Sequence, residues 1–169
     1  MNMLRNEIPI KCCNVNAFIC KIENGISKYL IIRRASKSFN GSWQMVSGGI
    51  EKGEKGWETA IREIKEETGL TPKKFYSSNI VETVYLADKN CISMVPVFLA
   101  FVDLDCEVVL NVYEHDEYKW VTVDEAEEYL VFFNQLESMR KIEEYFIKRE
   151  PNEFLEISFT SNEVEKRTS

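Results

Sequence analysis

Glu63, Glu66 and Glu67 stand at i, i+3 and i+4 within the run Gly48 to Leu70, GGIEKGEKGWETAIREIKEETGL. Wound into a helix at ~100° per residue, they share one narrow arc, while Trp57, Ala60, Ile61 and Ile64 take the adjoining face. Carboxylates spaced in this way repel by roughly a few tenths of a kcal/mol per pair. Near a helix C-terminus they also oppose the macrodipole. A cation held among them removes the repulsion, and an all-oxygen set suits a hard ion, Mg²⁺ or Mn²⁺. Glu54 precedes the helix and can fold back to the same place. Arg62, beside Glu63, can orient a carboxylate through an ion pair. Gly48, Gly49 and Gly53 let the backbone come close to a ligand. The competing reading of such a run is an acidic helix face that water solvates.

The rest of the chain narrows the chemistry. Its one histidine, His115, rules out a multi-histidine metal site. On its own it reads as a residue making a local hydrogen bond rather than as a base. Five cysteines, Cys12, Cys13, Cys20, Cys91 and Cys106, form no CxxC pair and are odd in number. They read as small apolar residues of a reduced, cytoplasmic protein. Acidic residues outnumber basic ones by 28 to 21, for a net charge of −7, which argues against a nucleic acid polymer as partner. A phosphorylated small molecule remains open to an acidic protein when a divalent cation lies between the two. No stretch is apolar for ~18 residues, and the first eleven carry no signal-peptide core, so no membrane partner is expected. With 169 residues and 44% of them apolar, the chain is expected to form one domain over 1–150 and a partly disordered extension over 151–169.

The elements that position these groups can be placed by pattern. Strands are expected over residues 8–22, 29–32, 43–46, 75–87, 92–104 and 117–121. Residues 35–42 read as a loop, Ser47-Gly48-Gly49 as a flexible break, and Asp88-Lys89-Asn90 as a turn. The helical pattern runs from Gly56 to Thr68, with Gly69 placed to end it and Pro72 preventing its continuation. Asp124 with Glu127 has capping-box spacing. A second helix over 135–147 would turn Leu136, Met139, Ile142, Tyr145 and Phe146 inward, and a short strand over 154–159 would follow. Strands mixed with one central and one C-terminal helix indicate α/β or α+β layering around one sheet.

Gly48, Glu54, Arg62, Glu63, Ile64, Glu66, Glu67, Gly69 and Leu70 reproduce the pattern G-x5-E-x7-R-E-U-x-E-E-x-G-U, where U is a bulky aliphatic, at every fixed position. The chain therefore resembles the Nudix hydrolases. That resemblance implies an α/β (α+β) fold, an α/β/α sandwich with a central mixed β-sheet, a catalytic loop-helix and a C-terminal helix. It implies divalent-cation-dependent hydrolysis of a nucleoside diphosphate linked to another moiety. By position, Glu66 and Glu67 would be the principal metal ligands, and Glu63 a ligand or the group orienting the attacking water. Glu54 would be an auxiliary ligand, Arg62 an orienting partner, and the Gly48 carbonyl would complete the shell. Glu114 or Glu117 would supply a further catalytic glutamate from outside the box.

The segments Leu30 to Arg34, Trp43 to Gly48, Glu114-His115 and Tyr118 to Trp120 are similar to the bacterial dihydroneopterin triphosphate pyrophosphatases, also called dATP pyrophosphohydrolases. That likeness implies a pterin or purine nucleoside triphosphate as substrate, with a monophosphate and pyrophosphate as products. Arg33 and Arg34 are then candidates to contact phosphates, since guanidinium suits them. Gly49 is a candidate for close backbone approach to the substrate. Trp43 and Phe39 are candidates to stack on a base, with core packing the competing role for Trp43. ADP-ribose, dinucleoside polyphosphates and oxidised dGTP are alternative substrates of the same chemistry. A nucleotide sensor that does not cut is the alternative of another class, and a monomer and a homodimer are both open.

Overall fold

Residues 15–20 form an unbroken buried run, as expected of a strand covered on both faces. The structure, a computed structural model, describes residues 7–37 and 39–160. Eight strands form one mixed sheet: β1 (Ile10–Lys11), β2 (Asn14–Glu23), β3 (Ile26–Arg34), β4 (Trp43–Gln44), β5 (Val46–Gly49), β6 (Lys74–Leu86), β7 (Cys91–Phe101) and β8 (His115–Val121). Parallel pairing of β2 with β7, from Asn16↔Val97 to Cys20↔Phe101, lies at its centre. β6 runs antiparallel to β7, β3 to β2, and β8 to β3.

Alternate residues of β2 serve opposite layers. Val15, Ala17 and Ile19 join Leu30, Ile32 and Val46 beneath Ala60, Ile61 and Ile64 of α1 (Gly56–Thr68). Phe18 and Cys20 join Tyr29, Ile31, Met45 and Leu99 beneath Met139 and Ile142 of α3 (Phe133–Ile142). With α2 (Val123–Ala126) on the α3 side, the result is the expected α/β/α sandwich. No helix among the described residues is long and apolar enough to cross a membrane.

α1 has the bounds its pattern predicts. Glu58 accepts the Lys55 amide at its start (2.8 Å), and Gly69 ends it at φ 72°, a left-handed position that favours glycine. Elsewhere the structure corrects the sequence reading. Residues 8–22 form two strands, with Cys12 and Cys13 between them. Ser47-Gly48-Gly49 is no break but most of β5, paired with β2 from Asn14↔Gly49 to Ala17↔Val46. The cap of α2 is Thr122, two residues before Asp124. Its hydroxyl accepts from Glu125 N (3.2 Å), while the Glu125 carboxylate accepts from Thr122 N (2.7 Å).

α3 passes at Ile142 into a π-helical turn, Glu143–Ile147. The wider turn keeps Phe146 inward and leaves Tyr145 exposed. Residues 154–159 form no strand: a 3-10 turn, Glu153–Leu155, leads to a single bridge, Tyr76↔Glu156. Ile157 then donates its amide to Phe75 O (2.8 Å), and Phe159 meets the Phe75 ring edge-on. The rest of the extension expected to be disordered, 161–169, lies outside the described residues.

Candidate active site

Arg62, only 8% exposed, is the point from which the acidic groups are arranged. A guanidinium has five N–H donors, and each of them has an acceptor here. Nε and Nη2 grip Glu54 (2.8 and 3.1 Å), Nη1 serves Glu63 (2.7 Å) and Glu66 (3.1 Å), and Nη2 also donates to Gly49 O (3.0 Å). Glu54 further accepts from the Thr59 hydroxyl (2.8 Å) and the Glu51 amide (3.1 Å). Its bonds to Arg62, helped by these two, hold its carboxyl down at about 2. A Cβ built at Gly48 would overlap the Glu63 carboxyl, so glycine in β5 is what lets that side chain lie across the strand.

The three helix glutamates are not equivalent. The Glu66 side chain is 46% exposed and that of Glu63 14%, while Glu67 as a residue is 2% exposed. Glu67 takes a hydrogen bond from the Ser47 amide, and its Oε2 has no hydrogen-bond partner among the described residues. Burial first, then the charges of Glu63 and Glu114, push its carboxyl up to about 9. Burial also raises Glu63, against the pull of Arg62.

Glu114 reaches this cluster through a turn that hangs on the end of α1. Val109 donates to Thr68 O (2.9 Å) and Asn111 to Glu67 O (3.1 Å), satisfying carbonyls that a helix end leaves open. Asn111 then accepts the amides of Glu114 (3.0 Å) and His115 (2.9 Å) on its carbonyl and donates Nδ2 to Glu114 Oε1 (3.0 Å). One ligand atom each from Glu67, Glu114 and His115 lie within 4.8 Å of one another. The local hydrogen bond expected of His115 is absent: the residue is 1% exposed, and neither ring nitrogen has a partner among the described residues. Its imidazole is pushed down to about 4, by burial and then by the charge of Arg34.

The remaining candidates divide between two places. Arg34 binds the Ser36 hydroxyl through Nε and Nη2 (3.2 and 2.9 Å), and its charge is felt at Glu67 and His115. Arg33 pairs with Asp116 (2.7 Å) and Glu117 (2.9 Å) and lies over the Trp43 ring, so Glu117 is tied up there and not beside Glu67. Trp43 is half-buried against Tyr129, with Lys119 over its ring. Phe39 is exposed, holds φ 55°, and meets Phe132 edge-on. The Gly49 carbonyl is an acceptor for Arg62.

These residues suit a hard divalent cation on their own chemistry. An enclosed carboxylate oxygen without a donor, flanked by two more carboxylates, is an arrangement that a cation satisfies and that water-free burial alone disfavours. Two residues escaped the sequence reading. Asn111 shapes the turn, and its only sequence signal was a turn-forming residue three positions before Glu114. Gln44 is buried with an unpartnered Nε2, on the face of the sheet opposite Trp43 and Met45.

Comparison with known proteins agrees with this geometry. Residues 14–149 match the NUDIX domain family. The chain is 27% identical to the asymmetrical bis(5'-nucleosyl)-tetraphosphatase of Rattus norvegicus over 125 residues, covering 70% of this chain and 83% of that one. It is 30% identical to the nucleoside triphosphatase NudI of Escherichia coli over 122 residues, covering 66% and 84%. A 77-residue stretch is 39% identical to putative nudix hydrolase 1 of Caenorhabditis elegans, covering 43% of this chain and only 20% of that protein. Among solved structures, an Ap4A hydrolase of C. elegans superposes with a TM-score of 0.67 at 23% identity, over 78% of this chain and 94% of the other, a likeness of fold. With the domain matched over most of its length and every fixed position of the box present, the chain belongs to the Nudix family of hydrolases.

Proposed function

We propose that this Nudix hydrolase is a Mg²⁺-dependent pyrophosphohydrolase that splits a nucleoside triphosphate, of the dATP or dihydroneopterin triphosphate kind, into a monophosphate and pyrophosphate. Glu67 carries the reading: a carboxylate buried to 2%, with an unserved oxygen, set beside Glu63 and Glu114. Glu63, Glu66, Glu67 and the Gly48 carbonyl, with Glu54 as auxiliary, would hold the cation. Such an ion, when bound, neutralises charge developing on phosphoryl oxygens and lowers the pKa of its water. The chain's own share is positioning. Arg62 fixes Glu54, Glu63 and Glu66 with respect to β5, and Asn111 fixes Glu114 Oε1 with respect to the end of α1. Glu63 would orient the attacking water and accept its proton, and Glu114 would act beside it as the further glutamate from outside the box. Arg34 adds positive charge where the phosphates would lie. The chain would work in the cytoplasm, as a monomer or homodimer.

A second reading, a dinucleoside polyphosphate as substrate, is favoured by the likeness to the rat tetraphosphatase and by the aromatic pair Phe39–Phe132, which offers an exposed ring to a second base. A panel with Mg²⁺ separates these readings: nucleoside triphosphates, dihydroneopterin triphosphate, ADP-ribose and diadenosine tetraphosphate. Pyrophosphate released from a triphosphate is the expected result. AMP formed from ADP-ribose alone would overturn the substrate class. Tight nucleotide binding with no turnover would replace catalysis by a sensor.

A further inference from the structure

We propose that His115 is a direct ligand of the divalent cation, which makes the centre a mixed nitrogen–oxygen site with Glu67 and Glu114 instead of an all-oxygen one. The proposal rests on the cation site proposed above and adds to it a group that the Nudix box does not contain.

A buried imidazole ordinarily donates from one nitrogen and accepts at the other. His115 does neither, although it is enclosed to 1% and lies beside a carboxylate oxygen in the same condition, Glu67 Oε2. Two unserved groups of complementary chemistry share one place, together with Glu114, within 4.8 Å. Three atoms no more than 4.8 Å apart all fit within ~2.8 Å of one central point, so an inward shift of at most about 0.7 Å by each brings them to the ~2.1 Å of a metal bond.

The chain is built to put the ring there. The β3–β8 ladder shifts register between Arg33 and Arg34: Arg33 pairs with Glu117, and Arg34 with His115, which leaves Asp116 as the extra residue. A bulge of this kind re-aims the side chains on either side of it. Glu117 goes to Arg33, and His115 goes to Glu67. The Asn111 carbonyl, which accepts the amides of both Glu114 and His115, holds the pair together at the end of α1. A histidine serving only to fill the core ordinarily finds a carbonyl or hydroxyl for at least one nitrogen, and among the described residues neither nitrogen of His115 is bonded to one. An imidazole donor shifts a site's preference from Mg²⁺ toward Mn²⁺ and later first-row ions.

His115 is the only histidine in the chain, so the test needs no mutation. Untagged protein is loaded with less than one equivalent of Mn²⁺ and examined by electron spin echo envelope modulation, once unlabelled and once with ¹⁵N-histidine. The expected result is imidazole ¹⁴N modulation that changes to the ¹⁵N pattern on labelling. H115Q should remove the nitrogen signal and raise the Mn²⁺ Kd about tenfold. Bound Mn²⁺ with an oxygen-only spectrum in the unlabelled protein overturns the proposal and leaves the carboxylate site standing. Failure of Mn²⁺ to bind at all overturns both.

Discussion

Enclosing Glu67 beside two other carboxylates is costly for a chain folding without a counter-charge, and that cost can be measured. E67Q is expected to lower kcat at least 10³-fold while the protein remains folded, and to raise the Tm of the cation-free protein at pH 8. Steady-state rates and thermal melts with and without a chelator check both parts. A cation should stabilise the wild type and leave E67Q almost unchanged. Asn111 makes a smaller contribution by holding Glu114. N111A is expected to lower kcat by about 10–100-fold with little change in KM, because it disturbs positioning and not substrate contact.

Glu82 gives a pH-dependent case away from the site. It is buried and accepts from Asn16 (2.8 Å), Ser138 (2.7 Å) and Asn134 (3.4 Å), all neutral. Burial raises its carboxyl above the ordinary value, and those donors only partly oppose the shift. An acid whose folded pKa is raised binds its proton more tightly in the native state. Its contribution is therefore complete below the unfolded value of ~4.3 and is lost as pH rises through the folded one. E82Q can keep all three bonds, and its Tm profile should be flatter above pH 5 than that of the wild type.

At the scale of elements, two glycines show what backbone freedom achieves. G48A would drive a methyl into the Glu63 carboxyl, so β5 and α1 must move apart. A loss of about 1–3 kcal/mol with nearly complete loss of activity is expected from denaturant melts and rate assays. G69A adds a Cβ at φ 72° only 3.3 Å from Val109 Cβ and should cost about 1–2 kcal/mol in the same melts.

The legibility of the sequence follows the same physics. α1 could be read to the residue, because its apolar period is regular and its end is marked by a glycine that only a left-handed cap requires. β5 could not, because glycines signal a break unless the side chain lying over them is known. The helix expected over 135–147 does end at Ile147, but its last five residues widen into a π-helical turn that leaves no trace in a 3.6-residue pattern, so Tyr145, expected inside, is exposed. The shared arc of the three glutamates followed from their spacing alone. The choice of Glu114 over Glu117, and the burial of His115, depend on a bulge opposite Arg33–Arg34 and on the hydrogen bonds of Asn111. The bulge and the Asn111–Glu67 bond join segments far apart in the chain, and the local bonds of Asn111 to Glu114 and His115 form only in the turn that those contacts fix.

At the scale of the whole molecule, the segment 156–159 works as part of the fold, with Ile157 hydrogen-bonded to Phe75 and Phe159 against its ring. Ending the chain after residue 150 should cost about 2–3 kcal/mol by stripping partly buried apolar side chains from the α1 layer. The sheet also sets the order in which the molecule can be made. Its central pairing joins residues 16–20 to 97–101, about 80 positions apart, and the whole catalytic box lies within the loop that this pairing closes. Parallel contacts over such distances form slowly, and nothing local substitutes for them. A refolding chain should therefore acquire helix and compactness well before it acquires turnover. In a stopped-flow experiment diluting out denaturant, enzymatic activity should return only with the last and slowest phase.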